Sequence, residues 1–257
     1  GAVLAIPQAT RDITASNDIH TDLGNSSPTN AQLNYVFDGG TLSLGADLSD
    51  NFSIKAGGGS VSVTGASTNR TISGVLSDNG SANGSLTKVG AGVLTLTGTN
   101  TYTGGTTVSA GTLEISSSGS VDGNAFINNS TVNLYGDIDV NGALTNAGTL
   151  NLAAGTITAT SGITNSGSIN ISGSADSIIT GNVVNSGSVA ALAIGQDLRI
   201  TGNLDNASTR SGIIRGSDSV DIGNMFTFQN VGLTVTGILT NRNRFYVDEN
   251  STVLANL

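Results

Sequence analysis

The sequence predicts an all-β fold, a single parallel β-helix (a β-solenoid) that extends over residues 1–257. Three observations support this prediction: the residue composition, a period-two alternation of apolar and polar residues, and an internal repeat of about 20 residues. Gly, Ser, Thr and Asn dominate the chain; they are mediocre or poor helix formers, and no long apolar stripe with a 3.6-residue period is present. Disorder is excluded because hydrophobic residues make up 37% of the chain and are regularly spaced.

The clearest alternation lies in residues 86–115. Residues 93–97 read V-L-T-L-T, the pattern of a strand with one buried face. Residues 90–92 and 104–105 are rich in glycine and allow turns that other residues resist. This region therefore predicts several short strands joined by tight corners.

A second pattern recurs after residue 127: an asparagine that is followed by x-Gly in three of six copies, and in most copies by strand residues with apolar side chains at alternate positions. Successive copies are spaced 18, 19, 20 and 21 residues apart, and the last copy follows after 35 residues. The asparagines are Asn128, Asn146, Asn165, Asn185, Asn206 and Asn241. A repeat of this length indicates a solenoid, because one copy alone cannot bury its apolar face.

In the predicted coil each Asn-x-Gly forms a corner, since both residue types tolerate left-handed backbone conformations. Apolar pairs such as Leu150 and Leu152 point to the interior, because alternate residues of a strand share a face. Coils stacked about 4.8 Å apart bring the asparagines into line, where we expect a ladder of side-chain amides. The length corresponds to roughly a dozen coils. Residues 1–40 follow neither repeat and are predicted to be a looser cap or loop region.

Residues 86–115 resemble the passenger-associated repeat of bacterial autotransporters, which has the form G-x-G-x-L-x-L-x-G-x-N-x-Y-T-G-G-T-x-V-x-x-G-T-L, and the resemblance extends back to residues 71–76. The asparagine copies are similar to the N-x-G-x-I repeats of filamentous-haemagglutinin-type exoproteins. These resemblances imply a right-handed parallel β-helix that is exported by type V secretion and displayed on a Gram-negative cell surface. They also imply that a leader and a C-terminal outer-membrane translocator lie elsewhere, so that residues 1–257 are a passenger fragment.

Charge and cysteine content exclude several classes of function. The formal net charge is −9, which disfavours nucleic-acid binding because phosphate contacts need clustered Lys and Arg. The absence of cysteine excludes disulfides, thiol catalysis and Cys-ligated zinc. No apolar stretch approaches the ~20 residues of a membrane helix, so no membrane insertion of this fragment is expected.

The sequence predicts no enzyme, no cofactor and no metal site. His20 is the single histidine, and it is interpreted with Asp18 and Asp22 as part of a solvated polar loop. Asp137 and Asp139 are candidate paired carboxylates for glycoside cleavage. The alternation of residues 136–140 places both outward, without a basic partner nearby in the sequence. A polysaccharide-degrading enzyme is therefore the least favoured alternative.

The candidate ligand-binding residues lie near the end of the sequence, where five of the nine basic residues follow residue 198. The predicted face consists of Arg210, Arg215, Arg242, Arg244 and Tyr246. Arginine and tyrosine are typical of recognition surfaces; the alternative is that the arginines are solvated and the aromatic residues fill the core. We expect adhesion to a host-cell surface protein or glycan, or self-association between bacteria. The alternative is a structural stalk that promotes secretion and has no ligand of its own.

Overall fold

A computed structural model describes residues 12–15, 19–21, 34–81, 83–171, 177–191, 197–206, 213–215, 225–229, 232–241, 244–247 and 252–256. Every regular element in these ranges is a β-strand, and none of them is a helix. The all-β prediction is confirmed.

The strands are short and follow one another around the coils. Those that begin before residue 100 are β1 (Asp12–Ala15), β2 (Ile19–Thr21), β3 (Asn34–Phe37), β4 (Thr41–Leu44), β5 (Phe52–Ile54), β6 (Gly59–Ser62), β7 (Asn69–Ile72), β8 (Leu76–Asp78), β9 (Ser85–Val89), β10 (Val93–Leu96) and β11 (Thr99–Asn100). The central strands are β12 (Gly105–Val108), β13 (Thr112–Ile115), β14 (Ser120–Gly123), β15 (Phe126–Asn128), β16 (Thr131–Leu134), β17 (Asp137–Val140), β18 (Leu144–Asn146), β19 (Thr149–Leu152), β20 (Thr156–Ala159), β21 (Ile163–Asn165), β22 (Ser168–Ile171), β23 (Ser177–Thr180) and β24 (Val183–Asn185). The last strands are β25 (Ser188–Ala191), β26 (Asp197–Thr201), β27 (Leu204–Asn206), β28 (Ile213–Arg215), β29 (Met225–Gln229), β30 (Gly232–Asn241), β31 (Arg244–Val247) and β32 (Thr252–Asn256).

Three strands per coil lie on three faces of the solenoid. Face 1 is the seven-stranded sheet β7, β10, β13, β16, β19, β22 and β25. Face 2 contains β11, β14, β17, β20, β23 and β26, and face 3 contains β9, β12, β15, β18, β21, β24 and β27. Strands of consecutive coils pair in parallel, and the solenoid makes about eight turns. The right-handed sense and the total of roughly a dozen coils stay predictions.

The core consists of columns of apolar side chains that point inward from the faces. On face 1, Leu150 pairs in register with Val132 of the preceding coil and with Ile169 of the following coil. Leu150 and Leu152 are fully buried, whereas Thr149 and Asn151 are half-buried on the outer side. The predicted period-two pattern is confirmed, and each fully buried leucine contributes about 2 kcal/mol of apolar burial.

The first coils are less regular. Strands β1, β3, β5 and β8 form a four-stranded parallel sheet, and β2, β4 and β6 extend face 3 in the same parallel sense. Inside these coils the rings of Phe37 and Phe52 stack with their centroids 5.6 Å apart. Much of residues 1–40 lies outside the described ranges, so its interpretation as a looser cap or loop stays a prediction.

The glycines of the Asn-x-Gly corners are needed for a reason that differs from the expected one. Gly148, Gly167 and Gly187 are not among the glycines with a positive φ. A Cβ on Gly167 would instead overlap the carbonyl oxygen of Gly148, and a Cβ on Gly187 would overlap that of Gly167. Glycine is required at these corners because the backbones of consecutive coils are in close contact.

Candidate functional site

The predicted ligand-binding face lies partly within the described residues. Arg210 and Arg242 lie outside the described residues. Arg215 ends β28 in register with Gln229, and Arg244 and Tyr246 lie on β31, which pairs with β29. The two strands therefore belong to one small parallel sheet, β28–β29–β31. Whether these residues bind a ligand stays a prediction.

The candidate catalytic residues lie partly within the described ranges. His20 lies on the strand β2, in register with Ser43, so the expected loop is wrong for its backbone. Asp18 and Asp22 lie outside the described residues. Across the described ranges, no group of three or more His, Cys, Asp or Glu side chains is placed to hold a metal ion. The same ranges contain no helix that is long and apolar enough to cross a membrane.

The carboxylates of face 2 point outward, as the alternation predicts. Asp137 and Asp139 are exposed, and Asp137 Oδ1 accepts a hydrogen bond of 3.0 Å from the N–H of Thr156 in the next coil. Asp122 pairs in register with Asp139. Partial burial, and secondarily the like charge of Asp139, raise the pKa of Asp122. Asp137 therefore links two coils through a hydrogen bond, whereas Asp122 and Asp139 repel each other.

The best-defined polar cluster lies inside residues 86–115, which form β9 to β13. Lys88 has no exposed surface, although it lies on a strand between the apolar neighbours Val61 and Val108. Its ammonium donates to the carbonyl oxygens of Val89 at 2.8 Å, Gly90 at 2.8 Å and Ala110 at 3.1 Å. The lysine thus satisfies carbonyl groups at the corners of two consecutive coils, and all three of its donors are used.

Asn100 connects three coils through one buried side chain. Its Oδ1 accepts from the N–H of Leu76 at 2.9 Å. Its Nδ2 donates to the carbonyl oxygens of Gly98 and Ser120, each at 2.9 Å. Leu76 lies in the preceding coil and Ser120 in the following coil, so the amide holds the corner of β11 in position from both sides.

Tyr102 fills the interior next to this corner. Its side chain is fully buried, and its hydroxyl forms a 2.6 Å hydrogen bond with Thr106 Oγ1. Gly105, between these two residues, has φ +103°, a conformation that favours glycine. The Asn-x-Tyr-Thr-Gly-Gly part of the motif therefore builds one corner whose polar groups are satisfied inside the solenoid.

The predicted amide ladder is present and lies inside the solenoid. Asn128, Asn146, Asn165 and Asn185 are fully buried. The Nδ2 of each of the first three donates to Oδ1 of the next, at 2.7, 2.7 and 2.6 Å. Asn128 also donates to the carbonyl oxygen of Thr149 at 2.9 Å, and its Oδ1 accepts from Ser130 N at 3.1 Å. Asn128, the first residue of the ladder, occupies the same strand position as Val108 one coil earlier and Lys88 two coils earlier.

The sequence pattern does not identify Lys88, Asn100 and Tyr102 as buried polar residues. Lys88 has the same strand phase as the buried Leu86, which is the signal that could have identified it. Asn100 ends the two-residue strand β11 and Tyr102 lies just after it, where the alternation is too short to indicate which side faces the core.

Lys88 and Tyr102 predict a maximum of stability near pH 10. Burial lowers the pKa of Lys88 from 10.5 to about 8. Between these values the unfolded chain holds a proton that the folded chain has lost, so the free energy of unfolding rises with pH. Allowing for solvent screening, the rise is roughly 1–3 kcal/mol. Burial raises the pKa of Tyr102 well above 10, so above pH 10 only the unfolded chain ionises and stability falls.

Urea unfolding at half-unit steps from pH 7 to pH 11 measures both slopes. Lys88→Met should remove the rise between pH 8 and pH 10 and keep the fall above it. Tyr102→Phe should do the reverse. A rise that persists in Lys88→Met would show that another group is responsible.

Comparison with known proteins identifies the family of this segment. Residues 86–115 match the family model described as passenger-associated-transport-repeat, a repeat family of autotransporter passenger domains. The resemblance inferred from the sequence is confirmed for this segment, and the matched range begins after residues 71–76. No curated protein and no solved structure matches the chain significantly. The repeat and the parallel β-solenoid together are consistent with an autotransporter passenger.

Proposed function

We propose that the chain is part of the passenger domain of a bacterial autotransporter and that it acts in adhesion at the cell surface without catalysis. The observation that carries the proposal is the segment 86–115. It matches a passenger repeat, and it is built into the stack as β9 to β13, with its polar motif residues buried as ties between coils. The partner is a host-cell surface protein or glycan, or another bacterium through self-association.

The architecture supports this function through repetition. Each coil contacts mainly its neighbours, so surface positions recur at a fixed spacing along the rod. When several weak contacts form at the same time, the overall affinity exceeds that of any single contact. Because each coil is stabilised mainly by its neighbours, the chain can also fold coil by coil as it leaves the outer-membrane pore of a translocator.

A stalk without a ligand is the second candidate. It is favoured by the unbroken register of face 1, in which each strand from β7 to β25 pairs with the next without a bulge. A spacer needs such regularity and nothing more.

Binding of the purified chain distinguishes the two candidates. The folded protein is tested against cultured cells, matrix proteins, a glycan panel and itself. Saturable binding to one target is the expected result for an adhesin. Failure across the panel, with circular dichroism that shows a folded β-solenoid, would overturn adhesion and favour the stalk. Fusion to an outer-membrane translocator tests export separately, and a chain that never becomes accessible to external protease would contradict the passenger assignment.

A further inference from the structure

On the strands β16, β19 and β22, the outer side of face 1 carries two parallel columns of uncharged hydrogen-bonding side chains. In the middle of the sheet the first column contains Thr131, Thr149 and Ser168, and the second contains Asn133, Asn151 and Asn170. All six are half-buried on the outer side of their strands. We call this surface the Thr–Asn face. The pair of one Thr or Ser and one Asn recurs about every 4.8 Å from coil to coil, and the two columns are about 7 Å apart along each strand.

The asparagines of this face form a second ladder. Asn151 Nδ2 donates to Asn133 Oδ1 at 2.8 Å, and Asn170 Nδ2 donates to Asn151 Oδ1 at 2.8 Å. A side-chain amide has two donor hydrogens and two acceptor lone pairs. The Asn151 amide therefore retains one donor and one acceptor beyond the ladder, and these are held in a fixed orientation by its neighbours. The coils of Thr131 and Thr149 thus each offer an oriented amide and a hydroxyl.

An exposed aromatic ring borders the Thr–Asn face. Tyr135 follows Asn133 by two residues and is 43% exposed. On the two neighbouring coils the positions equivalent to Tyr135 are the small residues Ser116 and Ala153. Large side chains therefore do not enclose the ring from either side. An exposed tyrosine offers an apolar ring surface together with a polar hydroxyl.

The charge of the surface limits what it can bind. Glu114 is in register with Asn133 and is the one acidic residue in the two columns, which contain no basic residue from β10 to β22. The whole chain has a formal charge of −9. Nucleic acids and acidic polysaccharides are therefore repelled, and an uncharged polymer rich in hydroxyl groups fits best.

We propose that the Thr–Asn face binds a neutral, extended β-linked polysaccharide that lies along the solenoid axis, with about one sugar unit per coil. The coil spacing is close to the length of one sugar unit in an extended chain, so each coil can meet a sugar hydroxyl with its amide or its hydroxyl group. Tyr135 stacks on one sugar ring and fixes the position of the chain. This proposal specifies a partner for the adhesive function and rests on that proposed function.

Faces 2 and 3 do not offer the same surface. Their outer sides carry Asp137 and Asp139 on face 2, and Ile127 and Val184, 38% and 45% exposed, on face 3. Face 3 nevertheless provides matched control positions, because Thr145 and Thr164 are exposed and belong to the same two coils as Thr131 and Thr149.

Titration calorimetry with cellohexaose tests the proposal, with maltohexaose as a probe of the same sugar in a coiled shape. Cellohexaose should bind and maltohexaose should not. The variant Thr131→Lys/Thr149→Lys should weaken binding at least about tenfold, a loss of about 1.4 kcal/mol. The control variant Thr145→Lys/Thr164→Lys should bind like the parent, and Tyr135→Ala should weaken binding without changing the thermal midpoint.

Three results would overturn the proposal: no binding of cellohexaose, equal binding of both probes, or equal weakening by the two lysine pairs. The same protein preparation is tested on cultured cells. Cell binding without cellohexaose binding would reject the Thr–Asn face as a glycan site and leave adhesion standing. Absence of both would reject adhesion as well.

Discussion

Leu150→Asp is expected to lower the free energy of unfolding by about 5 kcal/mol, the upper range for a single substitution. Leu150 is fully buried between Val132 and Ile169 of the adjacent coils. The substitution removes apolar burial and places a carboxyl group in an interior column that offers no polar partner. Because each coil is stabilised mainly by its neighbours, the loss should spread to the coils on either side.

Thr149→Asp is the matched control, since Thr149 precedes Leu150 on β19 but faces outward and is half-buried. It should change the free energy of unfolding by no more than about 0.5 kcal/mol. Urea denaturation of both purified variants measures the difference. When the chain is fused to a translocator, Leu150→Asp should also reduce the fraction that external protease can reach, and Thr149→Asp should not. Equal stability of the two variants would contradict the inward placement of Leu150.

The repeated part of the fold could be predicted from the sequence because its signals are local and recur. Period-two alternation at Leu150 and Leu152 determines which side of the strand is buried, and the recurring asparagine determines how coils align. The ladder of Asn128, Asn146, Asn165 and Asn185 follows from the same stacking. Each of these features depends on one strand and its equivalent in the next coil, which the repeat makes visible.

The polar ties of residues 86–115 could not be predicted in this way. Lysine is usually a surface residue, and the burial of Lys88 depends on three carbonyl groups that come from two corners. Asn100 has partners 24 and 20 residues away, in coils whose alignment is known only after folding. The requirement for glycine at Gly167 likewise depends on the carbonyl of Gly148 in the adjacent coil.

The candidate binding surfaces show the same limit. Composition near the C-terminal end of the sequence points to arginine and tyrosine, whereas the residues of the Thr–Asn face show no distinctive pattern in the sequence. Thr131, Asn133 and Tyr135 become a surface only when β16 pairs with β13 and β19. A binding surface on a solenoid consists of side chains aligned from coil to coil, and this alignment is known only when the register of the strands is known.

Asn100→Leu is expected to cost about 3–5 kcal/mol, although it replaces a polar side chain with an apolar one of similar size in a buried position. The change removes the acceptor of the Leu76 N–H and the donor to the Gly98 carbonyl oxygen, both buried, together with the donor to the partly buried carbonyl oxygen of Ser120. Each buried group left without a partner costs about 1–3 kcal/mol. The extra apolar burial of the leucine offsets only part of this loss, because three polar groups lose a hydrogen-bond partner at once.

Asn51→Leu is the control that separates burial from the loss of a hydrogen bond. Asn51 Oδ1 accepts from the N–H of Val75 at 2.8 Å, next to the N–H that Asn100 binds, but Asn51 is exposed. Water can replace its side chain, so this variant should lose no more than about 1 kcal/mol. Urea denaturation gives both values, and hydrogen exchange at Leu76 should accelerate in Asn100→Leu alone. Equal effects of the two substitutions would mean that the amide of Asn100 does not hold the three coils together.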